Sequence, residues 1–156
     1  MEIRKAQQED LKELADMHSR AFSEADPEKP WPPERALKLL EHFYKHQPDI
    51  FFAAEEKGKL VGAMMAMIKP WRRGNRCTEA VLFVHPEFHK SGIGKKLFIR
   101  LLEEAIGKYQ ADSFEAVTFA AKEFPLTWYE KIGLEPDQSA VLIKGQSKFM
   151  LERLRQ

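Results

Sequence analysis

One cysteine, Cys77, in 156 residues excludes an internal disulfide and any zinc site built from several thiolates. Long apolar runs are missing as well. Leu60 to Ile68 falls far short of the roughly 20 residues that span a bilayer, so no integral membrane segment is expected. The first residues, Met1 to Leu11, alternate charges with single apolar side chains and hold no signal-peptide core, so the expected location is cytoplasmic. Net charge is nearly absent, 25 Lys and Arg against 24 Asp and Glu, which leaves no global field for nucleic acid or an anionic membrane. No segment repeats and none is of low complexity, and no set of His and acidic residues has metal-ligand spacing. What remains is a chain 44% hydrophobic and 31% charged, of a size for one domain with one core, taken here as residues 1–156.

The periodicities predict a mixed α/β fold. After a short strand at Ile3 to Lys5, Leu11, Leu14, Ala15, His18 and Phe22 recur at helical spacing. Four prolines between Ser23 and Pro33 make a loop, and Pro32-Pro33 opens a second helix that runs to Gln47-Pro48. Ile50 to Glu55 and Leu60 to Ile68, around a turn containing Gly58, read as a hairpin, followed by a turn at Trp71 to Arg76 and a strand at Thr78 to Val84. A helix follows over Gly94 to Gly107, then a strand at Glu115 to Ala120 and a short helix at Pro125 to Ile132. Two final strands are expected near Ser139 to Ile143 and Lys148 to Leu154. Strands that meet both as hairpins and across helices require a mixed sheet, against a doubly wound nucleotide fold.

The chemistry concentrates in Val81 to Lys96. An apolar strand stops at Pro86, and a loop with Gly92 and Gly94 then enters a helix. Such a junction gathers backbone N–H groups and the positive end of a helix dipole, an anion site suited to phosphate or pyrophosphate. Lys90, Lys95 and Lys96 add charge. Counting excludes two familiar phosphate loops. A P-loop needs glycine where His89 stands and Ser or Thr where Lys96 stands, and a dinucleotide fingerprint needs glycine at Leu97.

The run V-H-P-E-F-H-K-S-G-I-G, Val84 to Gly94, resembles the acyl-CoA-binding signature of the GNAT superfamily of N-acetyltransferases. T-W-Y-E-K-I-G-L-E-P, Thr127 to Pro136, resembles that family's second signature, an aromatic-Tyr pair on a short helix with Lys-x-Gly-Phe behind it. The resemblance extends over essentially the whole chain. It implies a largely antiparallel central sheet flanked by about four helices, and acetyl-CoA as the acyl donor without a metal. Pantetheine contacts would fall on Leu82, Phe83 and Val84, and phosphate contacts on Lys90, Ser91, Gly92, Ile93, Gly94 and Lys95. His89 stands where Arg or Gln is usual, and Lys122 where an Asn commonly touches the cofactor.

The implied reaction is acetyl transfer to a primary amine of a small molecule or protein by direct attack. A lysine-like amine of pKa about 10.4 is mostly protonated at neutral pH, so something must accept its proton, and a departing thiolate of pKa near 8.5 gains from a positioned acid. Tyr129 matches the family's tyrosine acid. Glu79 is the candidate base, the only carboxylate of Thr78 to Val84. It lies five residues before Val84, however, and an odd offset points to the other face unless a bulge shifts the register. Glu115, on the neighbouring strand, is the reserve, and water or an acceptor that arrives neutral remains open. A non-catalytic acyl-CoA-binding regulatory module is the competing class, and the resemblance also allows a homodimer. His18 is read as a packing residue, and Lys69, Arg72, Arg73 and Arg76 as a solvated turn.

Overall fold

The two apolar runs around Lys57-Gly58 pair as β2 (Phe51–Glu56) and β3 (Lys59–Pro70) in the computed structural model of the chain, which describes residues 1–120 and 122–155. Lys57 and Gly58 both have positive φ, 51° and 75°, the turn geometry whose twist matches that of the strands it joins. Strand β1 (Glu2–Lys5) lies antiparallel to β2, and β4 (Asn75–Val84) antiparallel to β3. β5 (Ala111–Phe114) is parallel to β4, giving the order β1-β2-β3-β4-β5. The sheet is mixed, as the periodicities require, and largely antiparallel, as the resemblance implies.

These strands belong to the first of two compact units, Met1–Val117 and Thr118–Gln156. Helices α1 (Leu11–Ala25) and α2 (Pro33–His46) cover one face of the sheet, where Leu14, Ala15, Leu40 and Phe43 join Phe51, Ala53, Met65 and Phe83 in one core. α3 (Ile93–Tyr109) covers the other face, with Leu97, Leu101 and Ala105 buried and Arg100 over the ring of Phe52. Burial on both faces explains why Phe51 to Ala54 is a continuous apolar run and does not alternate. The loop between α1 and α2 is tied down at Trp31, whose carbonyl accepts from Ser19 Oγ at 2.5 Å and whose N–H donates to Ser23 Oγ at 2.9 Å.

In the second unit, α4 (Glu123–Lys131) is the expected short helix and α5 (Ser147–Leu154) is a correction. Lys148 to Leu154 is helical, not a strand: Phe149 to Leu154 lacks β-branched residues and is rich in Leu, Met, Glu and Arg, which favour helix. Ser139 to Ile143 is irregular, since a strand needs a paired ladder and the helical segment after it offers none. The last expected strand, Glu115 to Ala120, also fails, because pairing with β4 occurs earlier, at Ala111–Phe114, and residues 115–119 are irregular. The helices thus number five among the described residues, and none is long and apolar enough to cross a membrane.

His18 is 1% exposed, stacked on Phe22 at 4.4 Å between the ring edges of Trp31 and Phe83. Its Nδ1 has no hydrogen-bond partner, and burial pushes the imidazole down from 6.5 to about 4. The unfolded chain therefore binds the proton more readily, so stability is full above about pH 6.5 and falls as the pH drops toward 4, by about 3 kcal/mol in all. Urea unfolding at pH 7 and pH 5 should show wild type losing about 2 kcal/mol more than His18→Leu over that interval. Parallel losses in the two proteins would contradict the burial of a neutral imidazole.

Candidate functional site

Strands β4 and β5 pair over a short length only. Asn75, Arg76 and Cys77 face Ala111, Ser113 and Phe114, and the last link is Glu115 N–H to the Cys77 carbonyl at 2.8 Å. From Thr78 to Val84 the edge of β4 away from β3 has no strand partner among the described residues. Where the pairing ends, β4 carries a bulge. Val81 faces Met65 and Thr78 faces Met67, so Glu79 and Ala80 together oppose the single residue Ala66, and Glu79 has a φ of 55°. An extra residue bends and twists a strand, which accounts for β4 turning away from β5 here. Glu79 is thus itself a bulged residue, at the point where side-chain parity along the strand breaks.

Beyond the bulge the strand alternates. Phe83 is buried in the core under α1 and α2, whereas Leu82 and Val84 are half-buried on the α3 side, where a methyl at Gly94 would meet their side chains at 3.8 and 3.9 Å. The chain then makes a short turn at Pro86–Phe88, and His89 Nε2 lies 2.9 Å from the Val84 carbonyl, closing the loop onto the end of the strand. Lys90 and Gly92 both have positive φ, 62° and 82°, and Ser91 Oγ donates to the Phe88 carbonyl. Gly92 is the N-cap of α3, and the space where its Cβ would stand is open.

Among the described residues nothing caps this helix. No side chain bonds its first turn and no acid lies there, while the first helical bond runs from Lys96 N–H to the Gly92 carbonyl. The N–H groups of Ile93, Gly94 and Lys95 thus have no intrahelical acceptor, beside the ammonium groups of Lys95 and Lys96. Ile93 contributes its backbone alone, since its side chain is 3% exposed and anchors the helix. Uncapped donors, added cations and no competing carboxylate fit a bound pyrophosphate.

The two candidate carboxylates differ in what holds them. Glu115 accepts from Thr78 Oγ1 at 2.9 Å and from Arg76 Nη1 at 2.7 Å, so both its oxygens are engaged. Glu79, exposed at the bulge, makes no hydrogen bond or ion pair among the described residues. The Thr78 hydroxyl, on a residue 2% exposed, escaped sequence reasoning, because its pairing with Glu115 depends on the parallel register and not on spacing. Tyr129 belongs to the second unit. It is half-buried on α4 beside the Trp128 ring at 5.3 Å, and burial pushes its phenol up, so it keeps its proton at neutral pH. Lys122, at the N-cap of α4, has its ammonium 5.0 Å from the Phe119 ring. Among the described residues no cluster of His, Cys, Asp and Glu is built to hold a metal ion.

Comparison with known proteins agrees with this geometry. The profile of the Acetyltransferase (GNAT) family matches residues 11–134. Acetyltransferase SG1711 of Sodalis glossinidius is 28% identical over 144 residues, covering 92% of this chain and 93% of that protein. Acetyltransferase ECA0875 of Pectobacterium atrosepticum is 33% identical over 109 residues, 69% and 70% of the two chains. Among solved structures, AAC(6')-Iy in complex with a CoA-S-monomethyl-acetylneamine bisubstrate analogue superposes with a TM-score of 0.72 at 16% identity, over 93% of this chain and 97% of that one.

Gly94 offers a test of the cradle that spares the fold. Its φ is outside the left-handed region, and its Cβ position has only ordinary contacts, so Gly94→Glu should leave the melting temperature of the free protein close to wild type. The added carboxylate should abolish the upward thermal shift that CoA produces in wild type. Equal shifts in the two proteins would remove the helix end as the anion site.

Proposed function

The chain belongs to the acetyltransferase (GNAT) family, and from that we propose that it carries an acetyl group from acetyl-CoA to a primary amine of a small molecule or protein by direct attack, residues 1–156 acting as one domain. The observation that carries this reading is the parting of β4 from β5, which leaves a backbone edge that ends at an uncapped helix. Leu82, Phe83 and Val84 offer that edge to the amides of pantetheine, and Lys90 to Lys95 receives the pyrophosphate. AAC(6')-Iy, of like fold, has been captured with CoA joined to an acetylated amine, which supports an amine as acceptor.

Acetyl-CoA supplies the reactive thioester, and the chain supplies position and protons. Glu79 accepts the proton of the incoming ammonium, directly or through water, and its freedom from ion pairs favours it over Glu115, whose oxygens already accept from Thr78 and Arg76. Backbone N–H groups on the open edge of β4 offset the charge that grows on the carbonyl oxygen as the C–N bond forms. When the C–S bond breaks, Tyr129 gives its phenolic proton to the sulfur and regains one from solvent. The proton count closes: the ammonium nitrogen loses two protons on the way to the amide, one to Glu79 before attack and one as the tetrahedral adduct collapses, and of these one balances the proton that ends on the sulfur and the other leaves to solvent.

Tyr129→Phe removes the phenolic oxygen and keeps the ring, so acetyl-CoA affinity should hardly change. The single-turnover rate of acetyl transfer should fall by roughly 10²-fold, the low end for a general acid. An unchanged single-turnover rate would remove Tyr129 as the acid. Glu79→Gln should lower the same rate while leaving the CoA thermal shift intact.

A further inference from the structure

Strands β4 and β5 part at one point, and that point is closed in three layers. In the plane of the sheet the Glu115 N–H donates to the Cys77 carbonyl at 2.8 Å, the last backbone link between them. On one face Thr78 Oγ1 donates to Glu115 Oε1 at 2.9 Å, a side-chain crossbar over that link, and Arg76 Nη1 donates to the other carboxylate oxygen at 2.7 Å. Opposed residues of an antiparallel pair share a face, and Thr78 lies opposite Met67 as Val81 lies opposite Met65. Met65, Met67 and Val81 pack in the core under α1 and α2, so the crossbar stands on that side of the sheet. On the other face the Phe114 ring packs on Phe98 of α3, with centroids 4.9 Å apart.

The crossbar is fixed at both ends. Thr78 is buried, the Arg76 guanidinium stands 4.3 Å from the Trp71 ring centroid, and both carboxylate oxygens are engaged. The Glu115 side chain is nonetheless 49% exposed, so the crossbar is open to solvent and not sealed in the core. A donor whose pyrophosphate sits at the first turn of α3 runs along β4 from Val84 toward the bulge, with its acyl group foremost. Thr78 precedes Ala80 by two residues, roughly 7 Å of strand. Acyl carbons beyond the thioester carbonyl therefore continue toward the crossbar. A methyl group ends short of it. A longer chain must displace a carboxylate held by two hydrogen bonds, or strip water from it, and methylenes offer nothing in return.

We infer that Thr78 and Glu115 form the inner stop of the acyl site, so that the protein accepts acetyl-CoA and rejects hexanoyl and longer acyl groups. Of the three layers only this one ends in an exposed side chain, and Glu115 can be truncated without opening the core. The inference rests on the reading of the open edge as the place of the acyl donor.

Calorimetric titration with CoA, acetyl-CoA and hexanoyl-CoA tests it without an acceptor. Wild type should bind hexanoyl-CoA roughly 10-fold or more weakly than acetyl-CoA, the low end for methylenes that a site resists. In Glu115→Ala that ratio should fall toward one. Glu115→Gln, whose amide oxygen still accepts from Thr78, should retain most of the discrimination. Thr78→Val removes the donor of the crossbar at similar shape and should also lower the ratio, which keeps the test decisive if Glu115→Ala does not fold. Equal affinity of wild type for the two thioesters would overturn the stop and leave the donor reading standing, as would a preference that survives both Glu115→Ala and Thr78→Val. Failure of wild type to bind any of the three would defeat the donor reading and the stop with it.

Discussion

Strand β4 is hydrogen-bonded along both edges only as far as Cys77, and the site follows from that limit. A buried or half-buried strand with an unpaired edge exposes backbone donors and acceptors that must find water or a ligand. Here the edge runs beside Leu82, Phe83 and Val84 and ends at a helix whose first turn has no cap. One bulge therefore does two things, opening the edge and setting Glu79 in a left-handed backbone conformation at its start. The rest of the first unit holds this arrangement rigid. α1 and α2 clamp Phe83 from one side while α3 packs from the other, so the open edge lies between two fixed layers.

How much of this was legible in the sequence depended on whether a residue type implies one geometry. A glycine loop entering a helix with lysines in its first turn could be read from the residues alone, although the helix begins at Ile93, one residue before the expected Gly94, with Gly92 as its N-cap at a φ of 82°. The face of Glu79 could not, because side-chain parity along a strand changes at a bulge and nothing in T-E-A-V announces one. The strand expected at Glu115 to Ala120 shows the same limit. Those residues are apolar enough for a strand, but β4 has already turned away and pairing falls on the more polar Ala111–Phe114. At Lys148 to Leu154 the error was one of period, for a short apolar run fits helix or strand until local propensity decides.

Partners, more than position, separate the two carboxylates near the bulge. Glu115 is fastened by a buried threonine and a stacked arginine, which suits it to holding β5 against β4 at the point where they part. Glu79 has no such ties, and the reactive end of a donor lying along β4 would come to its neighbourhood. The charged groups of the site are thus divided along one strand. Lysines and uncapped N–H groups stand at the C-terminal end, a free carboxylate at the bulge, and arginines around Trp71 at the N-terminal end.

Amide hydrogen exchange with and without CoA tests the central claim most directly, since it reads the backbone groups of the edge and the helix end themselves. Binding should slow exchange at amides within Leu82 to Val84 and at Ile93, Gly94 and Lys95, with little change in β1 and β2. Protection confined to other segments, or none at these amides under saturating CoA, would contradict the assignment of the open edge of β4 as the place where the acyl donor lies.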